Sequence, residues 1–200
     1  MEYVIYILLA ITSLVGLTFI VERAWALRWG RVVPRQIAEA LDRCDTPGDV
    51  EALRAACRQK PSPLGRLILM ACNQLEWPKA DNVEALQTAA RHEIVLLERG
   101  LVVLEIIVGI APLLGLVGTI AGMMTVFGDV GQTGLNDAGK LAAGIALILR
   151  ATLFGLLIAI PSLIAWSYYS KKVEVLAAEM EALCDAFVRR QYAGQSVNSR

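Results

Sequence analysis

The sequence predicts an all-α polytopic membrane protein with three transmembrane helices, two of them extended into a cytoplasmic helical bundle. Three observations carry this prediction. The apolar fraction is 56% and the mean hydropathy +0.54, both high for a soluble chain of 200 residues. The charges are segregated: the 19 basic and 19 acidic residues cluster between residues 22 and 99 and again after 170. The stretches between are almost charge-free and long enough to cross a bilayer. Lastly, apolar residues recur at helical spacing beyond the ends of those stretches.

The first element occupies residues 1–29. Its apolar run, Tyr3 to Val21, spans roughly 28 Å as a helix, close to one bilayer core. It lacks a basic leader and a small-residue cleavage site, so it reads as a retained helix. Residues 30–97 form a cytoplasmic helical region. Breaker pairs at "TPGD" (46–49) and "KPSP" (60–63) divide it into short helices joined by turns. At "WPKADN" (77–82), Pro78 and the Asp81–Glu84 pair resemble a capped helix start.

From there Leu86, Ala90, Ile94, Leu97, Leu101, Leu104 and Val108 alternate at three and four residues. They predict one helix of about 46 residues, roughly 69 Å long, that runs into the second span. That span covers 98–128 and is broken only by Glu105. A short loop, 129–139, follows, and the third span covers 140–169, broken only by Arg150. Residues 170–200 form a C-terminal helix and tail. There Val173, Leu176, Met180, Leu183 and Phe187 make a 3-4 seam. It fits packing on neighbouring helices or on the chain's own 30–97 region.

Basic residues set the direction. Arg23, Arg28, Arg31 and Arg35 follow the first span, Lys171 and Lys172 follow the third, and none precedes the first. The predicted N-terminus is therefore periplasmic and the C-terminus cytoplasmic, in a bacterial inner membrane.

The spans themselves carry the candidate site. Ala111, Gly115 and Thr119 recur every four residues, as do Gly118 and Gly122; Ala151, Gly155 and Ala159 repeat the pattern in the third span. Such small residues let helices approach closely in lipid. Two small faces on one helix imply a second helical neighbour, either another copy or another protein. Thr119 and Thr152 fall within about one turn in depth when the helices run antiparallel. Thr152, Gly155, Ala159 and Ser162 share one face of the third span. The hydroxyls predict a narrow polar stripe in an apolar setting, or simple bonding to each helix's own carbonyls.

"APLLGLVGTIAGMMTVFGD" (111–129) with "GIALILRATLFGLLIAIPSLIAWSYYSKK" (144–172) resembles the signature of the ExbB/TolQ/MotA family of proton-channel proteins. "VERAW" (21–25) resembles the ExbB/TolQ branch. The resemblance covers most of the chain and is specific mainly in spans two and three. It implies a homo-oligomeric ring, commonly a pentamer, around a single-span ExbD/TolR-like partner. It also implies service to a TonB-like or TolA-like protein driven by proton flow. It assigns Thr119 and Thr152 to the ion path, with Ser162 on the same stripe. Pro112 and Pro161 would kink or loosen helices that flex.

The chain departs from that pattern where the family often carries an acid five positions before the threonine of span three; here stands Leu147. Arg150 lies about 14 Å into the span, where a charge costs about 2.5–3.5 kcal/mol. It points about 160° away from Thr152, which favours a subunit interface or snorkelling over a pore role. Glu105 and Asp129 lie near the two ends of span two, so a mid-membrane proton carrier must come from the partner. A non-conducting scaffold is the alternative reading.

Other classes find no support. Zero net charge leaves no nucleic-acid footprint. Cys44, Cys57, Cys72 and Cys184 form no CxxC pair, and His92 is the lone histidine, so no metal or cofactor is expected. No nucleophile–base set or phosphate loop marks an enzyme.

Overall fold

The computed structural model describes residues 2–44, 47–133 and 138–198. Among these there are only helices and connecting turns. They are α1 (Glu2–Ala26), α2 (Trp29–Val32), α3 (Arg35–Asp42), α4 (Pro47–Gln59), α5 (Pro63–Asn73), α6 (Lys79–Glu98), α7 (Leu101–Thr133) and α8 (Ala138–Asn198). Three stretches are long and apolar enough to cross a membrane: Val4–Ala26, Leu101–Gly128 and a window within Ala142–Ala193. The protein is an all-α polytopic membrane protein.

The chain divides into two compact units, residues 1–23 with 100–169 and residues 24–99 with 170–200. The first is the span unit. Its exposed surface is large and apolar, including Leu14, Leu113, Met124, Leu149 and Ile164, as expected where lipid or other chains replace water. Its interior seam is narrow and contains Ala111, Ile148, Ala151 and Ala159. α1 closes one side: Ile5 and Leu9 are buried, and Tyr6 meets Phe154 edge-on at 6.3 Å. The Tyr169 hydroxyl donates to the Ile20 carbonyl at 3.1 Å.

The second unit is a helical bundle. Ser62 caps α5 by accepting the Gly65 N–H at 3.0 Å, and Pro63 fills the first turn, where its missing N–H costs nothing. The break predicted at "KPSP" therefore has a mechanism. At "TPGD", Thr46 lies outside the described residues; α3 ends at Asp42 and α4 begins at Pro47. α6 begins earlier than the expected capping pair. Pro78 occupies the cap without a side-chain hydrogen bond, and Asp81 lies in the first turn, where its charge complements the helix dipole.

One expectation changes, and one open alternative is decided. The single long helix from 81 into the second span is two helices, α6 and α7, parted at Arg99–Gly100. Gly100 is buried, and a Cβ there would sit against the Arg23 guanidinium. The C-terminal seam docks on the chain's own bundle. Val173, Leu176, Met180, Cys184, Phe187 and Val188 are buried. Arg190 donates to the Leu41 carbonyl at 3.3 Å, and Tyr192 to the Trp77 carbonyl at 2.9 Å.

Candidate functional site: the hydroxyl pair between α7 and α8

Glycine decides how close these helices come. A Cβ on Gly155 would lie 2.6 Å from the Ala111 carbonyl oxygen. One on Gly115 would lie 2.9 Å from both the Ala151 oxygen and Thr152 Cα. Neither leaves room for any side chain. Gly118 faces Ala151 and Ile5, and Gly122 faces Ile148. Both glycine tracks of α7 are thus consumed inside one chain, by α8 and by Ile5 of α1. The sequence reading that a second small face requires another copy or protein is corrected: the second neighbour is α1. Gly144, which meets Val126, extends the track and was missed in sequence. It lies four residues before Ile148, a bulky residue that breaks the small-residue pattern.

This close approach brings two hydroxyls together. Thr119 Oγ1 and Thr152 Oγ1 are 3.4 Å apart. Thr152 also donates across the seam to the Gly115 carbonyl at 3.3 Å. Thr119 donates to the Leu116 carbonyl of its own helix at 2.7 Å. Own-carbonyl bonding and a shared polar stripe therefore coexist. Both threonines are half-buried. Beside Thr119 an open groove continues along Ile120, Met123, Met124 and Phe127.

The remaining predicted residues do not join this pair. Ser162 is 2% exposed and bonds its own Ile158 carbonyl at 2.8 Å. A Cβ on Gly16 of α1 would lie 3.4 Å from its Oγ. α1 thus covers Ser162, which lies about 15 Å along α8 from Thr152. Its hydroxyl thus meets α1 and its own helix and lies apart from the Thr119–Thr152 pair. Pro112 and Pro161 lie within α7 and α8, and both helices continue through them. Arg150, Leu147 and Glu105 are exposed on the span unit. Arg150 points away from the buried Ile148–Ala151–Ala159 face, as helical spacing requires. The side chain of Asp129 lies outside the described residues.

No group of three or more metal-ligating side chains occurs among the described residues. The four cysteines are buried and none is in a disulfide. Burial pushes the Cys57 thiol up to about 11 and the Cys72 thiol to about 12, so neither is a nucleophile at neutral pH.

Three apolar helices packed on glycine, with a hydroxyl pair where two of them approach closely, define a polytopic membrane protein built for helix-to-helix polar contact. The comparisons carry this further. The model of the MotA/TolQ/ExbB proton channel family matches residues 60–182. The chain is 39% identical over 87 residues to the biopolymer transport protein ExbB of Helicobacter pylori, a match that takes in 44% of this chain and 60% of that protein. It is 32% identical to the ExbB of Aquifex aeolicus over 52% of this chain and 70% of that protein. It is 32% identical to the ExbB-like 3 protein of Synechocystis over 76% of this chain and 73% of that protein. The chain belongs to the MotA/TolQ/ExbB proton channel family.

Proposed function

We propose that the chain is an inner-membrane stator subunit that uses the proton-motive force to drive envelope work, such as TonB-dependent transport or Tol-Pal function. Its copies form a ring, a pentamer, around a single-span ExbD/TolR-like partner. The assembly works on a TonB-like or TolA-like protein. The N-terminus is periplasmic and residues 24–99 and 170–200 are cytoplasmic, the direction that the basic residues favour.

The observation that carries this reading is the Thr119–Thr152 pair at 3.4 Å. A hydroxyl both donates and accepts, so two in line can relay hydrogen bonds through an apolar span. They cannot hold a charge, and no described side chain between Glu105 and Asp129 on α7 is ionisable. The proton carrier is therefore a carboxylate of the partner's helix.

The test is proton flux into vesicles holding the chain with its genomic single-span neighbour. Thr152→Val keeps the shape and removes the hydroxyl. Flux should fall by at least about tenfold, the equivalent of 1.4 kcal/mol. A native mass near five copies should accompany the conducting complex. Equal conduction by Thr152→Val would withdraw the site, and a stable complex without flux would leave the non-conducting scaffold as the better description.

A further inference from the structure

Glu105 has no place in the pair just described, yet it is an exposed carboxylate on the span unit. A charge there that faced only lipid would be costly, and such residues in spans usually face water or polar groups. Its position on α7 is informative. Glu105, Pro112 and Thr119 are each seven residues apart. A straight helix drifts about 20° per heptad, so the three fall within about 40° of one another. One stripe of α7 therefore joins the carboxylate to the hydroxyl pair, over about 21 Å.

The stripe is polar midway as well. Pro112 has no N–H, so the Val108 carbonyl loses its α-helical donor. Beside it stands Gly109, where a Cβ would meet nothing within 4 Å. A carbonyl without its α-helical donor and a position with open space at its Cβ thus lie between Glu105 and Thr119. Further along, the Gly115 carbonyl already accepts from Thr152. Carboxylate, freed carbonyl, bonded carbonyl and hydroxyl pair follow one another along one edge of one helix.

We propose that Glu105 is the proton-exchanging group at the Gly100 end of the path, linked to the Thr119–Thr152 pair along this edge. This rests on the conducting reading above. In the transfer, a protonated water of the path gives up one O–H bond and a carboxyl O–H forms on Glu105. The carboxyl then returns that proton to water at the membrane edge. No other bond changes. Pro112 acts on this scheme as the residue that opens a carbonyl, in addition to any bend it causes.

The test compares proton flux through vesicles containing the chain with its genomic single-span neighbour. The variants are Glu105→Gln, Glu105→Asp and Thr152→Val, each with its native mass measured. Glu105→Gln should conduct at least tenfold less at unchanged mass, and Glu105→Asp should recover most of the flux. Wild-type flux in Glu105→Gln, with Thr152→Val blocked, overturns the role of Glu105 alone. Wild-type flux in Thr152→Val overturns the reading on which it rests. Should Glu105→Gln fail to assemble, dicyclohexylcarbodiimide on the wild-type complex decides. An adduct mapped to Glu105 by mass spectrometry supports the proposal, and its absence overturns it.

Discussion

Replacing Gly155 by alanine adds one methyl group at the tightest point of the α7–α8 seam. Its Cβ would lie 2.6 Å from the Ala111 carbonyl oxygen and 3.3 Å from Gly115 Cα. The obstacle is backbone, which cannot rotate aside. Restoring ordinary contact at 3.4 Å requires the helices to part locally by about 0.8 Å. Overpacking of this kind costs about 1–3 kcal/mol. In a chain of this size that is a melting-temperature loss of about 3–9 °C. The hydroxyl pair, at 3.4 Å, lies three residues away and has no slack, so its contact should be lost too. The assay is thermal unfolding of the detergent-extracted protein, with Gly109→Ala as the control for unfolding, followed by proton flux of Gly155→Ala. Gly109 has open space around it, and alanine there should be neutral or stabilising by up to about 1 kcal/mol. A Gly155→Ala protein that melts with Gly109→Ala and conducts normally would refute the claim that glycine sets this seam.

Other outcomes follow from the bundle. Asn82 is fully buried and its amide reaches the Ala71 carbonyl at 3.2 Å, the Gln74 carbonyl at 3.1 Å and the Tyr192 hydroxyl at 3.0 Å; Asn82→Ala should destabilise by about 2–3 kcal/mol in thermal unfolding. Arg66 grips the Glu93 carboxylate with two bonds of 2.6 and 2.5 Å. Arg66→Ala strands a carboxylate that is 8% exposed and should cost about 2–4 kcal/mol, discounted because the arginine is itself half-exposed. The raised thiols of Cys57 and Cys72 keep their protons in the fold beyond the pH at which the unfolded chain loses them. Their contribution is complete below about pH 9 and is lost as pH rises toward 11–12, so the bundle should resist alkylation at pH 7.5 and melt progressively earlier above pH 9. Gly100→Ala should be milder than Gly155→Ala, because its Cβ meets the far end of the Arg23 side chain rather than backbone.

The spans were readable because lipid imposes a coarse and unambiguous pattern: long apolar runs and charges confined to their ends. The "KPSP" break was readable because proline and serine act locally. The parting of α6 from α7 was not, since apolar spacing passes through Arg99–Gly100 without interruption. What lies against Gly100 there is the Arg23 side chain, 77 positions away in sequence. Glu93 was passed over for the same reason: a glutamate in a polar stretch reads as solvated, and only Arg66 on α5 reveals that it is buried. The Thr119–Thr152 match in depth was visible from helix rise alone. Ser162 shows the limit of that method. It shares a face with Thr152, but a face has length, and α1 covers its far end.

The glycines of the seam do more than bring helices together. A β-carbon on Gly115 would push Thr152 away from the very carbonyl to which it donates. The small residue thus exposes a backbone acceptor, and the threonine opposite uses it. At Gly109 and Pro112 the same result is reached by another route, since one residue lacks a side chain and the other lacks an N–H. Backbone oxygen is the one acceptor that an apolar helix always carries, and it is normally hidden by its own hydrogen bond and by neighbouring side chains. α7 deprives it of its helical donor at Val108 and opens it to Thr152 at Gly115. A helix without an ionisable group at mid-span can in this way still offer a proton a sequence of acceptors, provided that a carboxylate from elsewhere delivers the charge.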